Sequence, residues 1–183
     1  DLNFVKEKTL DFCKKQVLQK ALQDSVKAIK EEQKVGGAAN VAKNLSSLGA
    51  KVTLLAPVGK DNAALILERE LMKNHINPVL IKLSYAVTTQ KIRFLSSGQQ
   101  LLRHDIEQRL VWKTKDLILN KFAEIFRKFD IIVISDYNKG ACLNSKKMLN
   151  LANMSNLISI VDPKVLDWKC YKDATIITPN LNE

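Results

Sequence analysis

A glycine pair followed by an asparagine is the first group of residues in this chain whose types and spacing could bind a ligand. Gly36 and Gly37 stand just before a stretch with helical periodicity, and Asn40 follows three residues later. Glycines let a ligand approach the backbone closely, and an asparagine amide can both donate and accept hydrogen bonds to hydroxyl groups. The pattern is therefore typical either of a site for a hydroxylated ligand or of an ordinary turn before a helix.

Two later clusters place acidic and basic side chains directly after apolar runs. Asp136 precedes Lys139 by three residues, and Asp162 precedes Lys164 by two. The carboxylates could accept hydrogen bonds from hydroxyl groups and the lysines could neutralise a phosphate, but helix caps and surface ion pairs have the same composition. Because open α/β sheets bind ligands at the carboxyl ends of their strands, both clusters are candidates for a binding cleft.

The last residues of the chain form a third polar cluster. Asn180 and Glu183 are three residues apart, just after another apolar run. Such a pair could orient hydrated Mg²⁺ near nucleotide phosphates, because Mg²⁺ keeps several waters and takes few protein oxygens. A turn followed by a helix N-cap accounts for the same residues equally well.

The elements that must position these residues follow an alternating order. From residue 36 onward apolar runs alternate with amphipathic stretches, which predicts an α/β domain with a mainly parallel sheet. The strands are predicted at 51–56, 79–83, 131–134, 157–161 and 175–178, and the helices at 38–49, 62–75, 114–129 and 145–152. We expect Asp61 and Thr114 to be helix N-caps and Gly49 to adopt a left-handed conformation at a helix C-terminus. The wholly apolar run 131–134 predicts a buried central strand.

Two regions depart from this order. A period of two in 89–95, a turn at 96–98 and a second run at 99–105 predict a hairpin separate from the parallel sheet. Residues 1–35 form a separate segment, in which the apolar spacing over 14–34 predicts a helix.

Composition and charge narrow the class of protein. The three cysteines, Cys13, Cys142 and Cys170, are too far apart for a disulfide framework, which favours a reducing, cytoplasmic compartment. No apolar run is long enough for a membrane span, and the first residues lack the order of a signal peptide. The formal charge of +10 comes from scattered lysines, which favours solvated helix faces over a nucleic-acid interface.

The order of the motifs is more informative than any one of them. The first group consists of Gly36 to Gly49, Gly59-Lys60-Asp61, Thr89 to Arg93 and Gln99 to Asp105. The second group consists of Ser135 to Gly140, Asp162-Pro163-Lys164 and Thr178 to Glu183. Together they resemble the motifs of the ribokinase-like (PfkB) carbohydrate kinases, and the second group narrows the resemblance to the heptose 7-phosphate kinase branch. The resemblance covers about residues 34–183.

This resemblance implies a fold, a reaction and partners. The fold would be a truncated three-layer α/β/α domain over 36–183, with a mainly parallel sheet and a small β lid whose hairpin lies at about 87–105. The reaction would be ATP-dependent phosphorylation of D-glycero-β-D-manno-heptose 7-phosphate at its anomeric hydroxyl, toward lipopolysaccharide core precursors. Mg²⁺ would assist ATP, and pairing of two lids would give a homodimer.

The resemblance also implies roles for individual residues. The sugar would be held by Gly36, Gly37 and Asn40, with Lys91, Arg93 and Arg103 on the lid side and with Asp136 and Lys164 facing the cleft. Asp11 is a weaker match to a sugar ligand, whereas Asn180 and Glu183 match the Asn-x-x-Glu signature for Mg²⁺ and phosphate, Glu183 acting indirectly. Because the substrate already carries a phosphate, we expect Arg93, Lys91 or Lys164 to bind it.

One family motif is absent from the sequence. The Gly-Ala-Gly-Asp motif that supplies the general base does not occur in these 183 residues, so no catalytic residue is assigned and the base is expected beyond Glu183. We expect this polypeptide alone to show no kinase turnover. It could be part of a longer active enzyme, a degraded gene product or a non-catalytic module that binds a sugar phosphate, and another ribokinase-like sugar kinase is the alternative among enzymes.

Overall fold

The computed structural model describes residues 15, 29–34, 36–96, 99–110, 113–163 and 168–179. The helices in these ranges are α1 (Gly37–Ser47), α2 (Asn62–Lys73), α3 (Thr114–Ile125) and α4 (Ser145–Met154), with short 3-10 helices at Phe126–Lys128 and Trp168–Tyr171. The strands are β1 (Ile29–Lys34), β2 (Val52–Gly59), β3 (Ile76–Leu83), β4 (Gln90–Ser96), β5 (Gln99–Ile106), β6 (Ile131–Asp136), β7 (Ile158–Pro163) and β8 (Ile176–Ile177). They belong to two compact units, the hairpin unit (1–34 with 91–105) and the α/β unit (35–90 with 106–183).

The α/β unit begins with the predicted alternation of helices and strands. Gly49, with a φ of 92°, has the left-handed conformation expected after α1, and the Asp61 carboxylate caps α2 by accepting a hydrogen bond from the Ala64 N–H at 2.9 Å. Strands β2 and β3 pair in parallel from Val52–Ile76 to Gly59–Leu83. Helix α2 ends at Lys73, two residues before its predicted end, because His75 takes a φ of 57° and turns the chain into β3.

Helices cover both faces of the β2–β3 sheet, which gives the α/β unit three layers. Alternate strand residues point to opposite faces. One face carries a cluster from α1, α2 and the strands that consists of Ala39, Ala42, Leu71 and Ile76, with Val52, Leu54, Leu67 and Leu80 against it. Leu55 and Ile81 point the other way and pack against a larger cluster built from α3, α4, β6, β7 and Tyr171.

Among the described residues, α3 and α4 cover one face of the second sheet of this unit, and the other face is partly exposed. Strands β6, β7 and β8 pair in parallel in that order. Ile132, Ile134 and Val161 are buried against α3 and α4, whereas Ile131 and Ile158, which pair across β6 and β7, are 50% and 46% exposed. The prediction of a buried central strand at 131–134 is therefore wrong for the described residues, since β6 lies at the edge of its sheet.

Helix α3 differs from the prediction at its first turn. Thr114 is the first helical residue, is fully buried and does not cap the helix. Its hydroxyl instead lies 3.3 Å from the Tyr85 hydroxyl, within hydrogen-bonding distance. Of the residues predicted on its apolar side, Ile118 and Phe122 are buried and Leu117 is 45% exposed.

The hairpin unit is a three-stranded sheet in the order β1–β4–β5. Strand β1 pairs antiparallel with β4, from Ile29–Ser96 to Lys34–Lys91. The helix predicted over 14–34 is thus wrong at 29–34, where pairing with β4 overrides a helical spacing of apolar residues. In neither unit do the described residues include a helix long and apolar enough to cross a membrane.

Candidate functional site

The predicted sugar-binding glycines lie at the start of α1. Gly36 precedes the helix with φ −64° and ψ 174°, and its carbonyl accepts a hydrogen bond from the Asn40 N–H at 3.1 Å. The first N–H groups of a helix have no intrahelical partner, and no carboxylate occurs in the first turn of α1. The Asn40 side chain is exposed. This end of α1 can therefore offer backbone donors and an amide to a ligand.

The two glycines meet different surroundings. A Cβ on Gly36 would have open space around it, whereas a Cβ on Gly37 would overlap the ring of Tyr137. Tyr137 follows directly after β6, so the aromatic ring brings the carboxyl end of that strand to the start of α1. Gly37 is needed for this close packing whether or not a ligand binds.

Asp136, the last residue of β6, is buried and has a hydrogen bond to each carboxylate oxygen. Its Oδ1 accepts from the Asn138 N–H at 2.8 Å, and its Oδ2 accepts from the Tyr171 hydroxyl at 2.6 Å. Burial and then the Asp136 carboxylate raise the pKa of Tyr171, which keeps the phenol protonated as a donor. Both carboxylate oxygens of Asp136 thus already accept a hydrogen bond within the protein. The contact of Asp136 with a sugar stays a prediction.

The segment after β6 also carries ion pairs and buried polar atoms. Lys139, predicted to accompany a phosphate, forms an ion pair with Glu107. The Cys142 thiol lies 3.8 Å from the Ser135 carbonyl oxygen, and burial followed by the nearby Asp136 charge raises its pKa. A thiol held protonated in this way is a poor nucleophile, so Cys142 packs as an apolar side chain.

The three basic residues of the predicted lid all lie in the hairpin unit. Lys91 and Arg93 are two residues apart on β4 and therefore share a face of the sheet. The Arg93 Nη1 atom is buried, and no described residue forms a hydrogen bond with it. Arg103, on β5, is 51% exposed and its Nε lies 2.9 Å from an Asp105 carboxylate oxygen. Arg93 thus has an unmatched donor, whereas the charge of Arg103 is already paired.

The remaining predicted site residues, Asp11, Lys164, Asn180 and Glu183, lie outside the described residues. Within the described ranges, no group of three or more histidine, cysteine, aspartate or glutamate side chains could hold a metal ion. No described residue is therefore assigned to Mg²⁺.

Two buried residues in this part of the molecule were not predicted from the sequence. Tyr171, in the 3-10 helix Trp168–Tyr171, donates a hydrogen bond to Asp136. Thr88 accepts a hydrogen bond from Gly59 and donates one to Asp61. Tyr171 lies in no motif. Thr88 could have been suspected only from Asp61, whose second oxygen needs a partner once the first one caps α2.

Comparisons with known proteins extend over most of the chain. The family described as pfkB family carbohydrate kinase matches residues 7–183. The bifunctional protein HldE of Psychromonas ingrahamii is 41% identical over 159 residues, which are 86% of this chain and 33% of that protein. An uncharacterized sugar kinase of Buchnera aphidicola is 38% identical over 159 residues, 87% of this chain and 50% of that protein. The chain thus spans one third to one half of these curated relatives.

Solved structures show the same fold at low sequence identity. A PfkB protein from Polaromonas sp. JS666 superposes with a TM-score of 0.64 at 14% identity, over 81% of this chain and 56% of that one. A possible 1-phosphofructokinase from Thermotoga maritima superposes with a TM-score of 0.60 at 20% identity, over 78% of this chain and 47% of that one. The α/β layering is therefore the ribokinase-like fold. With the family match and the relatives above, the chain belongs to the pfkB family of carbohydrate kinases, which are phosphotransferases.

Proposed function

We propose that the intact protein phosphorylates D-glycero-β-D-manno-heptose 7-phosphate with ATP in the cytoplasm. The anomeric hydroxyl oxygen would attack the γ-phosphorus of ATP, the bond from that phosphorus to the β-γ bridging oxygen would break, and the products would be the 1,7-bisphosphate and ADP. Membership of the kinase family and the similarity to HldE proteins support this reaction. ATP and Mg²⁺ are expected from the family, and no described residue is assigned as the base that accepts the hydroxyl proton.

The observation that carries the sugar-phosphate part of the proposal is the unmatched donor of Arg93. A buried guanidinium nitrogen without an acceptor is costly, and a phosphate oxygen would supply the missing acceptor. Lys91, on the same face of β4, would add a second positive charge. Arginine binds phosphate through two parallel N–H groups, so this strand suits a substrate that already carries a phosphate.

The α/β unit offers groups that match the hydroxyls of a sugar. Gly36 and Gly37 present backbone N–H groups at the start of α1, and Asn40 presents an exposed amide. Hydroxyl groups match these donors and acceptors, whereas a phosphate would gain nothing from the amide oxygen. Asn40 in the α/β unit therefore suits a sugar hydroxyl, and the phosphate assignment rests on Arg93 of the hairpin unit alone.

Calorimetric titration of the protein with phosphorylated and unphosphorylated heptose tests this assignment. We expect wild type to bind D-glycero-D-manno-heptose 7-phosphate about 10 to 100-fold more tightly than D-glycero-D-manno-heptose, because charge-assisted hydrogen bonds to phosphate contribute about 1.5–3 kcal/mol. The substitution Arg93→Ala should remove that preference and leave the affinity for the unphosphorylated sugar unchanged.

Arg103→Ala is the matched control, because this arginine is already paired with Asp105. It should change the affinity for the sugar phosphate by less than about threefold. An equal loss for both sugars in Arg93→Ala would remove Arg93 from the phosphate. Tighter binding of fructose 6-phosphate than of heptose 7-phosphate would favour another sugar kinase of the family, and no sugar binding by wild type would contradict the proposal.

We also propose that two copies associate through β5. Among the described residues, this strand is one of the two outer strands of its sheet, and Leu101 and Leu102 are 60% and 58% exposed on its opposite faces. We expect wild type to sediment as a dimer and Leu101→Glu/Leu102→Glu to sediment as a monomer. Leu143→Glu is the control, since Leu143 is 41% exposed in the α/β unit and should leave the dimer intact. A monomeric wild type would contradict this proposal.

A further inference from the structure

A hydrogen-bonded cluster of Gly59, Asp61 and Thr88 joins two turns of the α/β unit. The Asp61 Oδ1 atom accepts from the Ala64 N–H at 2.9 Å, and Oδ2 accepts from the Thr88 N–H at 2.8 Å. The Thr88 hydroxyl oxygen in turn accepts from the Gly59 N–H at 2.9 Å. Thr88 is only 4% exposed and the bond to its hydroxyl is buried, whereas the two bonds to the Asp61 carboxylate are partly buried. We call this cluster the Thr88 clamp.

The clamp has no room for a larger residue and keeps its carboxylate charged. A Cβ on Gly59 would overlap Asp61 Oδ2 and would lie 2.6 Å from the Ala86 carbonyl oxygen. Burial raises the pKa of Asp61, but hydrogen bonds from Thr88 and from the Ala64 N–H outweigh burial, and the resulting pKa is below its usual value. Capping of α2 uses only one carboxylate oxygen of Asp61. The second oxygen accepts the hydrogen bond from the Thr88 N–H and so holds the segment around Thr88.

The position of Thr88 along the chain indicates what the clamp holds. Strand β3 ends at Leu83, and the boundary between the α/β unit and the hairpin unit falls after Gln90. Thr88 is the last buried residue before that boundary. Where the chain returns after β5, the nearest ion pair joins Glu107 to Lys139, which are 42% and 35% exposed. The outgoing segment is therefore anchored by one buried and one partly buried hydrogen bond of Thr88. The returning segment is anchored by the exposed pair and by a hydrogen bond from the Leu110 N–H to the Lys139 carbonyl oxygen at 3.1 Å.

We propose that Asp61 and Thr88 are positioning residues that hold the start of β4 in place for substrate binding. Lys91 and Arg93 follow Thr88 by three and five residues, so a loosened Thr88 would give the first residues of β4 more freedom. The clamp contacts no substrate, and its effect on binding acts through β4. The part of this inference that concerns a sugar phosphate rests on the proposed function above.

Hydrogen–deuterium exchange of the chain tests the clamp without any ligand. Thr88→Val removes the hydroxyl acceptor at nearly constant volume, and we expect the amides at the start of β4 to exchange about five- to tenfold faster, as the loss of one buried hydrogen bond predicts. Thr88→Ser keeps the hydroxyl and should exchange like wild type. Asp61→Asn, which retains a side-chain oxygen for one N–H but loses the second acceptor, should also accelerate exchange in β4 and provides the test if Thr88→Val does not fold.

Which amides exchange faster shows whether the Thr88 clamp positions β4. Acceleration confined to Gly59 and α2, or equal throughout β6 to β8, would contradict a positioning role, because the clamp would then be a cap or a general stabiliser. Titration with D-glycero-D-manno-heptose 7-phosphate adds a second measurement, in which Thr88→Val should weaken binding by about threefold to tenfold and Thr88→Ser should restore it. Arg93→Ala should weaken binding without changing exchange in β4.

The two proposals fail separately in these experiments. If wild type binds no sugar phosphate while Thr88→Val still accelerates exchange in β4, the proposed substrate is wrong and the clamp stands. If wild type binds the sugar phosphate and Thr88→Val changes neither exchange nor affinity, the clamp is wrong and the proposed substrate stands.

Discussion

Replacing Tyr171 by phenylalanine is expected to lower the free energy of unfolding by about 2 kcal/mol, because a buried carboxylate loses one of its hydrogen-bond donors. The Tyr171 hydroxyl donates to Asp136 Oδ2 at 2.6 Å, and the tyrosine is fully buried. Water cannot readily replace the lost donor at this depth. Urea denaturation of both proteins at neutral pH measures the difference.

Tyr85→Phe is the matched control, since it removes the same atom from a different environment. Tyr85 is 46% exposed and its hydroxyl lies 3.3 Å from the Thr114 hydroxyl. This change should cost less than about 1 kcal/mol, because water reaches an exposed phenol. Equal losses of unfolding free energy for the two substitutions would show that the Asp136–Tyr171 hydrogen bond stabilises the fold no more than the exposed Tyr85 hydroxyl does.

Alkaline pH gives a second measure of the same hydrogen bond. Burial and Asp136 raise the pKa of Tyr171 above its usual value of about 10, so the folded protein keeps a proton that the unfolded chain releases. The stabilisation is complete below about pH 10 and is lost as the pH rises above it, at about 1.4 kcal/mol per pH unit. Tyr171→Phe should remove this pH-dependent contribution. If the free energy of unfolding of Tyr171→Phe falls above about pH 10 as steeply as that of wild type, the contribution does not come from Tyr171.

Ile132→Lys is expected to destabilise the protein by about 4 kcal/mol or more, which is close to the whole stability of many domains. Ile132 points into the cluster formed with α3 and α4 and is 9% exposed. An ammonium group there would have neither water nor an acidic partner among the described residues of that cluster. Circular dichroism and urea denaturation should show a largely unfolded variant.

Ile131→Lys is the control on the opposite face of the same strand. Ile131 is 50% exposed, so its lysine can keep the ammonium group in water while the stem covers apolar surface. We expect a cost of about 1 kcal/mol or less. A cost similar to that of Ile132→Lys would mean that the protein as tested buries this face against another polypeptide segment or copy.

Local pattern was sufficient to predict the elements of the α/β unit. Helical spacing and an aspartate before it located α2 and its cap, and Gly49 took the left-handed conformation that a glycine after a helix favours. These features depend on a few neighbouring residues, so they survive in any fold that contains them. Element ends shifted by a few residues, as at His75, because a single left-handed residue ends a helix.

Pairing between distant segments explains where the predictions were wrong. The helical spacing of apolar residues over 14–34 predicted a helix that included Ile29–Lys34, yet this end of the segment pairs with β4 more than fifty residues away. The apolar run of β6 suggested burial on both faces, but among the described residues the strand lies at a sheet edge and one of its faces is partly exposed. An apolar run indicates that a strand can be buried. How many of its faces are buried depends on the elements that pack against it.

The candidate site also contains features that local sequence predicts and features that depend on distant segments. Motif order was enough to identify the kinase family and to single out Gly36, Gly37, Asn40 and Arg93 as candidates, because their residue types already suit the proposed chemistry. The partners of Asp136 and the second partner of Asp61 were not predicted. Tyr171 and Thr88 lie 35 and 27 residues away from them, and no local spacing relates the two members of either pair.

The cluster of Gly36, Gly37 and Asn40 shows what each source of information contributes. By itself, the sequence determined a glycine pair before a helix, an amide three residues later and the family in which they occur. Only the tertiary structure decided that Gly37 must stay small beneath Tyr137, that Asp136 is held by Tyr171 and that Arg93 has a buried donor without a partner among the described residues. The reason is physical: backbone conformation depends on neighbouring residues, whereas burial and hydrogen-bond partners depend on segments that only the folded chain brings together.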